Sequence, residues 1–151
     1  MGSMFENCNK LQKVKRISTT RATNINQLCK NCFVLTEFTY IENNGDAPIM
    51  LDLSVCTQAN QAFYNCYQLS HVYISYAREG LDNSEMFYNC HSLITLDLSY
   101  NNSIMPFGQD MLTGCYHFSG TQDDTYNPEG LRDGQIIVAK SMLEQYKVAP
   151  G

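Results

Sequence analysis

Seven cysteines and three histidines are the side chains here that could carry nucleophilic, redox or metal chemistry. Cys29-Lys30-Asn31-Cys32 has the C-x-x-C spacing of a redox dithiol, or of half a zinc site. His71, His91 and His117 are the residues that would serve as a base beside a cysteine nucleophile. None of these arrangements is completed. A zinc site needs four convergent ligands, and there is no second C-x-x-C and no histidine at finger spacing. His91 and His117 follow cysteines by one and two residues, in a bend rather than a cleft, and His71 reads as an outward strand residue. No Gly-rich phosphate loop and no partnered carboxylate pair is present. The chain reads as a non-enzyme with no catalytic residue, no cofactor and no metal.

The cysteines have another explanation, because five of them end one recurring phrase. Met4-Phe5-Glu6-Asn7-Cys8-Asn9-Lys10-Leu11 returns as Leu28 to Leu35, as Ala62-Phe63-Tyr64-Asn65-Cys66-Tyr67-Gln68-Leu69 and as Met86 to Leu93. A worn copy spans Met111 to Phe118. The phrase cysteines 8, 32, 66, 90 and 115 stand 24, 34, 24 and 25 residues apart. A period of that size is the mark of a stacked array, in which each unit buries its apolar side on its neighbours. Within the phrase, Cys29 occupies the slot of Phe5, Phe63 and Phe87, which makes it a small core residue. An odd number of cysteines at equivalent positions argues for buried free thiols rather than a disulfide framework.

Each unit must position these residues by local rules. Three residues after the cysteine comes Leu11, Leu35, Leu69, Leu93 or Phe118, and six after it Val14, Phe38, Val72 or Leu96. Eight after it come Tyr40, Ile74 and Leu98, while the first unit has Arg16 beside Ile17. The last two positions alternate, as a strand with one buried face requires. Met86 and Phe87 precede Cys90 by four and three residues, the spacing of one helical face, so a short helical turn is predicted there. The residue before the cysteine is Asn7, Asn31, Asn65, Asn89 and then Gly114; these types share a tolerance of left-handed backbone. They are predicted to turn the chain, with amide side chains stacked between units.

Ile49-Met50-Leu51-Asp52-Leu53-Ser54 adds a strand whose Leu-Asp-Leu-Ser repeats Leu96 to Ser99, and it accounts for the long interval. Turn chemistry at 42–46 and 79–84 feeds the neighbouring elements. The ending departs from the pattern: a polar stretch at 120–128, a strand at Gln135-Ile136-Ile137-Val138 and a Ser-capped helix over 141–147. The expected organisation is a repeat region over 1–118 and a capping segment over 119–151.

With 151 residues, 44% hydrophobic and 17% charged, the chain suits one globular domain. Its net charge of −5 and lack of a basic stripe exclude a nucleic-acid footprint. No apolar run reaches the roughly 20 residues of a bilayer span, and no signal peptide or myristoylation pattern is visible. Met1-Gly2-Ser3 reads as an expression scar before a chain that begins mid-unit, so the N-terminal end is expected to contact another chain or further repeats.

The phrase Phe-x-x-Cys-x-x-Leu-x-x-Val-x-Ile, as in Phe63 to Ile74, resembles the BspA-type leucine-rich repeat family of bacterial surface proteins, as does Met86 to Ser99. The ending, with Val138-Ala139 where many such proteins have Val-Pro, is similar more loosely. The resemblance implies an α/β repeat: a short solenoid with a mostly parallel sheet on one face, helical turns opposite and a C-terminal strand-helix cap. It also implies non-catalytic binding of a protein or glycan, as part of a cell-surface or adhesion protein. The alternative is a structural or tail-associated component of a bacteriophage virion. Positions five and seven after each cysteine should form lateral rows on the outward sheet face: Lys13, Glu37, His71, Thr95 and Lys15, Thr39, Tyr73, Asp97. Such a face is the usual recognition surface of stacked repeats, and it is the predicted ligand site.

Overall fold

In the computed structural model, which describes residues 1–39, 49–101, 103–118 and 134–143, the phrase segments lie side by side and six short strands run parallel. β1 (Lys13–Lys15) and β2 (Glu37–Thr39) form a two-stranded sheet. β3 (Ile49–Asp52), β4 (His71–Ser75), β5 (Thr95–Leu98) and β6 (Gln135–Val138) form a four-stranded sheet in chain order. Register follows the phrase: Val14 pairs with Phe38, Val72 with Leu96 and Leu96 with Ile136. The predicted inward positions hold, since Val14, Phe38, Val72, Ile74, Leu96 and Leu98 are all buried, but burial does not alternate throughout, because the outward Glu37 and Asp97 are buried too. Each such side chain contributes about 1.5–3 kcal/mol of apolar burial, the dominant favourable term here. Tyr40, the 42–46 turn and the polar stretch at 120–128 lie outside the described residues.

The segments before the cysteines differ from the expectation, because they are not helices. Backbone N–H groups alternate between two kinds of partner. Gln61, Phe63 and Asn65 donate sideways to Ser84, Met86 and Tyr88, whereas Ala62, Tyr64 and Cys66 donate back three residues within the turn. The preceding and following segments do the same. Two left-handed residues per segment enforce the alternation. One is the predicted position before the cysteine, with φ of 62°, 62°, 59° and 57° at Asn7, Asn31, Asn65 and Asn89, and 75° at Gly114. The other lies four residues earlier, at Ser3, Gln27, Gln61, Glu85 and Asp110. Only three residues separate the pair, too few to nucleate a helix, so apolar i, i+4 spacing is satisfied by consecutive tight turns. The one helical element among the described residues is a 3-10 turn over Lys140–Met142, and residues 144–147 of the predicted helix lie outside them.

Phrase cysteines 32, 66, 90 and 115 form one interior column, while Cys8 is exposed, and all seven thiols are free. Each interior sulfur donates to the carbonyl three residues before the preceding phrase cysteine: Cys32 to Phe5 O at 3.0 Å, Cys66 to Cys29 O at 3.2 Å, Cys90 to Phe63 O at 3.2 Å and Cys115 to Phe87 O at 3.1 Å. The thiol therefore adds a second bond to a carbonyl that already accepts the N–H of its own unit's cysteine. Burial pushes the Cys66 and Cys90 thiols well up, and Cys115 up to about 12. A native thiol titration with an aromatic disulfide is expected to count Cys8 alone, and all seven only after denaturation. More than one fast-reacting thiol in the folded protein would contradict the column.

Candidate binding face

The predicted rows exist, but on two sheets rather than one. Lys13 lies opposite Glu37 and Lys15 opposite Thr39 on the first sheet. On the second, His71 lies opposite Thr95 and Tyr73 opposite Asp97. The same rows continue to Gln135 and Ile137 on β6, and Met50 lies opposite Tyr73 on β3. Sequence reading missed these three, since β3 lacks a phrase of its own and β6 belongs to the atypical ending.

Exposure divides seven of the eight residues. Lys13, Lys15 and His71 are exposed, and Tyr73 and Thr95 are half-buried. Glu37 and Asp97 are buried, at 7% and 8% exposure, so they support the face rather than display themselves. Glu37 sinks between two lysines, with Lys13 Nζ at 3.1 Å from Oε2 and Lys15 Nζ at 3.3 Å from Oε1. Two cations on one carboxylate leave this end of the face positive. Burial alone would raise the Glu37 pKa, yet the hydrogen bonds and charges of both lysines outweigh it, and the net direction is down. Asp97 accepts from the Ser99 N–H at 2.8 Å and shapes the end of β5. His71 Nδ1 lies 2.9 Å from Ser70 Oγ.

The turn side carries a second ordered surface that the sequence reading did not find. The residues directly after the cysteines stack ring on ring: Phe33 on Tyr67 at 5.2 Å, Tyr67 on His91 at 4.6 Å and His91 on Tyr116 at 4.4 Å. Tyr64 stacks on Tyr88 at 4.8 Å, with Lys30 Nζ over Tyr64 at 5.1 Å. Between them runs the predicted amide ladder, in which Asn31, Asn65 and Asn89 each donate Nδ2 to Oδ1 of the preceding asparagine at 2.8–3.0 Å. It stops at Gly114, where a side chain would collide with Asn89 Oδ1. A column of residue types after each cysteine was the available signal, but Asn9 breaks it and only the register makes it a stack.

His91 stands inside this stack. It is half-buried, and burial holds its pKa below the ordinary imidazole value. A group depressed in the folded chain takes its proton first in the unfolded chain, so stability falls as pH drops through about 6.5. Urea midpoints at about pH 7.5 and 5.5 should therefore separate less in a His91→Phe variant than in the parent chain. An imidazole titration of His91 above the free-histidine value would refute this.

Among the described residues, no cluster of three or more His, Cys, Asp or Glu is placed to hold a metal ion. Among them too, no helix is long and apolar enough to cross a membrane. No family model, curated protein or solved structure matches this chain.

Proposed function

We propose that this chain is a leucine-rich-repeat solenoid of the BspA type, with repeats over 1–118 and a cap over 119–151. In this reading it is a non-catalytic binding module of a cell-surface or adhesion protein, taking a protein or glycan ligand on its sheet face. One observation carries the reading: exposed and half-exposed side chains of mixed chemistry stand in lateral register on parallel strands. Such a surface is stiff, because buried thiols and leucines and one amide ladder tie the repeating segments beneath it. Stiffness lowers the entropy lost when a ligand is bound. Tyr73 at its centre supplies contact area with few rotors to freeze, and His71 and the lysines supply polar specificity at its rim.

The test is selection of ligands from displayed peptide and glycan collections, followed by a His71→Ser/Tyr73→Ser double variant. Neither residue is needed for burial, so the fold is expected to survive. Selected ligands should lose at least about tenfold in affinity, the scale of an interface anchor. Undiminished binding by the folded double variant would refute the sheet face as the site.

A further inference from the structure

The first and last described segments expose positions that the segments between them bury. Met4 is 51% exposed, whereas Leu28, Ala62, Met86 and Met111, in the same slot of later phrases, are at most 2% exposed. Ile136 on β6 is 42% exposed, whereas Val72 and Leu96, in the same row, are fully buried. With Phe107, Gly108, Met111 and Leu112, Ile136 lines an apolar groove of about 190 Å³. Cys8 is the one phrase cysteine outside the interior column. Within the molecule, each of these slots is closed by a neighbouring segment of the same shape.

Hydrogen bonding specifies what fits. At each of the four junctions between successive turn segments, three N–H groups donate sideways to three carbonyls at 2.7–3.0 Å. Glu85, Phe87 and Asn89 thus donate to Gln109, Met111 and Thr113. By the same rule the last segment offers the N–H groups of Asp110, Leu112 and Gly114, and the first offers the carbonyls of Gly2, Met4 and Glu6. None of these six groups has a partner among the described residues. One edge is a row of donors and the other a matching row of acceptors, and such unpaired rows are templates for another chain. The thiols agree. Cys115 donates to Phe87 O, and the same step from Cys8 needs a carbonyl placed as Leu112 O is. Charge is split in the same sense. Residues 1–37 hold six cations against Glu6 and Glu37, net +4, while residues 38–151 hold four cations against thirteen anions, net −9. The acceptor edge therefore belongs to a positive end that is attracted to the rest of another copy.

We infer that copies of this chain associate head to tail, the first segment of one copy continuing the stack beyond the last segment of the next. Asp110, Leu112 and Gly114 N–H groups of one copy donate to Gly2, Met4 and Glu6 carbonyls of the other. Met4 is covered, Ile136 comes beside Val14 of the other copy, and Cys8 joins the thiol column. Two like edges do not pair, because carbonyl would face carbonyl or N–H face N–H. The contact is heterologous and leaves one edge of each kind open, so growth continues past a dimer. This assembly is independent of the ligand proposed for the sheet face, and the His71→Ser/Tyr73→Ser variant should associate like the parent.

The experiment is sedimentation velocity of the 151-residue chain in reductant, from about 2 to 200 μM, the range over which a micromolar contact fills. The weight-average mass should rise with concentration and pass that of a dimer. Over the same range the Cys8 thiol should react more slowly with an aromatic disulfide, by at least about fivefold, because association buries it. Met4→Glu and Ile136→Glu, both at positions exposed in the single chain, each place a charge in the contact and should weaken association about tenfold or more. Mixed one to one, the two variants should form a dimer and stop there, since each retains the edge that the other has lost; that dimer also shows both variants folded. A parent chain still monomeric at about 200 μM would overturn the proposal and leave the edges to a different protein or to further units of the same chain. Association lost in only one of the two variants, or a mixture of folded variants that stays monomeric, would overturn it as well.

Discussion

Phe63→Ala is expected to remove about 3–5 kcal/mol of stability, the full cost of a large aromatic deleted from a close-packed site. Phe63 is fully buried at the middle of the molecule. Its ring meets Phe38 edge-on at 5.7 Å and stacks on Phe87 at 5.8 Å, so it joins residues from three successive segments. Its backbone is held as well, since its N–H donates to Met86 O and its carbonyl accepts from the Cys66 N–H and the Cys90 thiol. A backbone pinned from both sides cannot collapse into the space left by the ring, which places the loss at the high end of the range. Phe63→Leu keeps most of the volume and should cost about 1 kcal/mol. Urea unfolding at constant m-value is the measurement, and a loss below about 1 kcal/mol for the alanine variant would show that the site is not packed as described.

Asn101→Leu should cost nearly as much, for a different reason. No buried side-chain nitrogen or oxygen among the described residues lacks a partner, and Asn101 satisfies three backbone groups at once. Leucine fits the volume but leaves the Ala77 N–H and the Ile74 carbonyl buried and unpaired. At about 1–3 kcal/mol for each orphaned group, the loss is about 2–6 kcal/mol. Asn101→Asp gives a sharper test. Aspartate can accept from Ala77, but its ionised form faces two carbonyls, so the folded state would favour the protonated acid. Its pKa would then be raised above the unfolded value, and the variant should be most stable in acid and weaken as pH rises through the folded pKa. A variant as stable at about pH 7 as at about pH 4 would remove Asn101 from this role.

The strands and the inward thiol and leucine columns were legible in the sequence because each depends on a short-range rule applied several times over. Val72 and Ile74 alternate with Tyr73 whatever lies around them, and Asn65 tolerates left-handed backbone without help from neighbours. The turn segments were misread as helical because Met86 and Phe87 before Cys90 fit either one helical turn or two tight turns. The deciding residues, Gln27, Gln61 and Glu85, share no side-chain type that announces positive φ. Their backbone is imposed by sideways hydrogen bonds to the next segment, and no local pattern records those.

The site divides the same way. Which residues share a row follows from the interval between phrases, so the pairings of Lys13 with Glu37 and of Tyr73 with Asp97 were available from the sequence. Depth was not. Glu37 is buried because two flanking lysines make its ionised form tolerable there, and Asp97 because Ser99 and β6 close over it. The stacked rings and the bonds of the buried Asn101 amide likewise exist only once the segments are laid side by side. Periodicity along a chain specifies what recurs and which way it points; contact across chain segments specifies which of those groups remain available to a ligand, because solvent access is a property of the packed surface and not of any one residue.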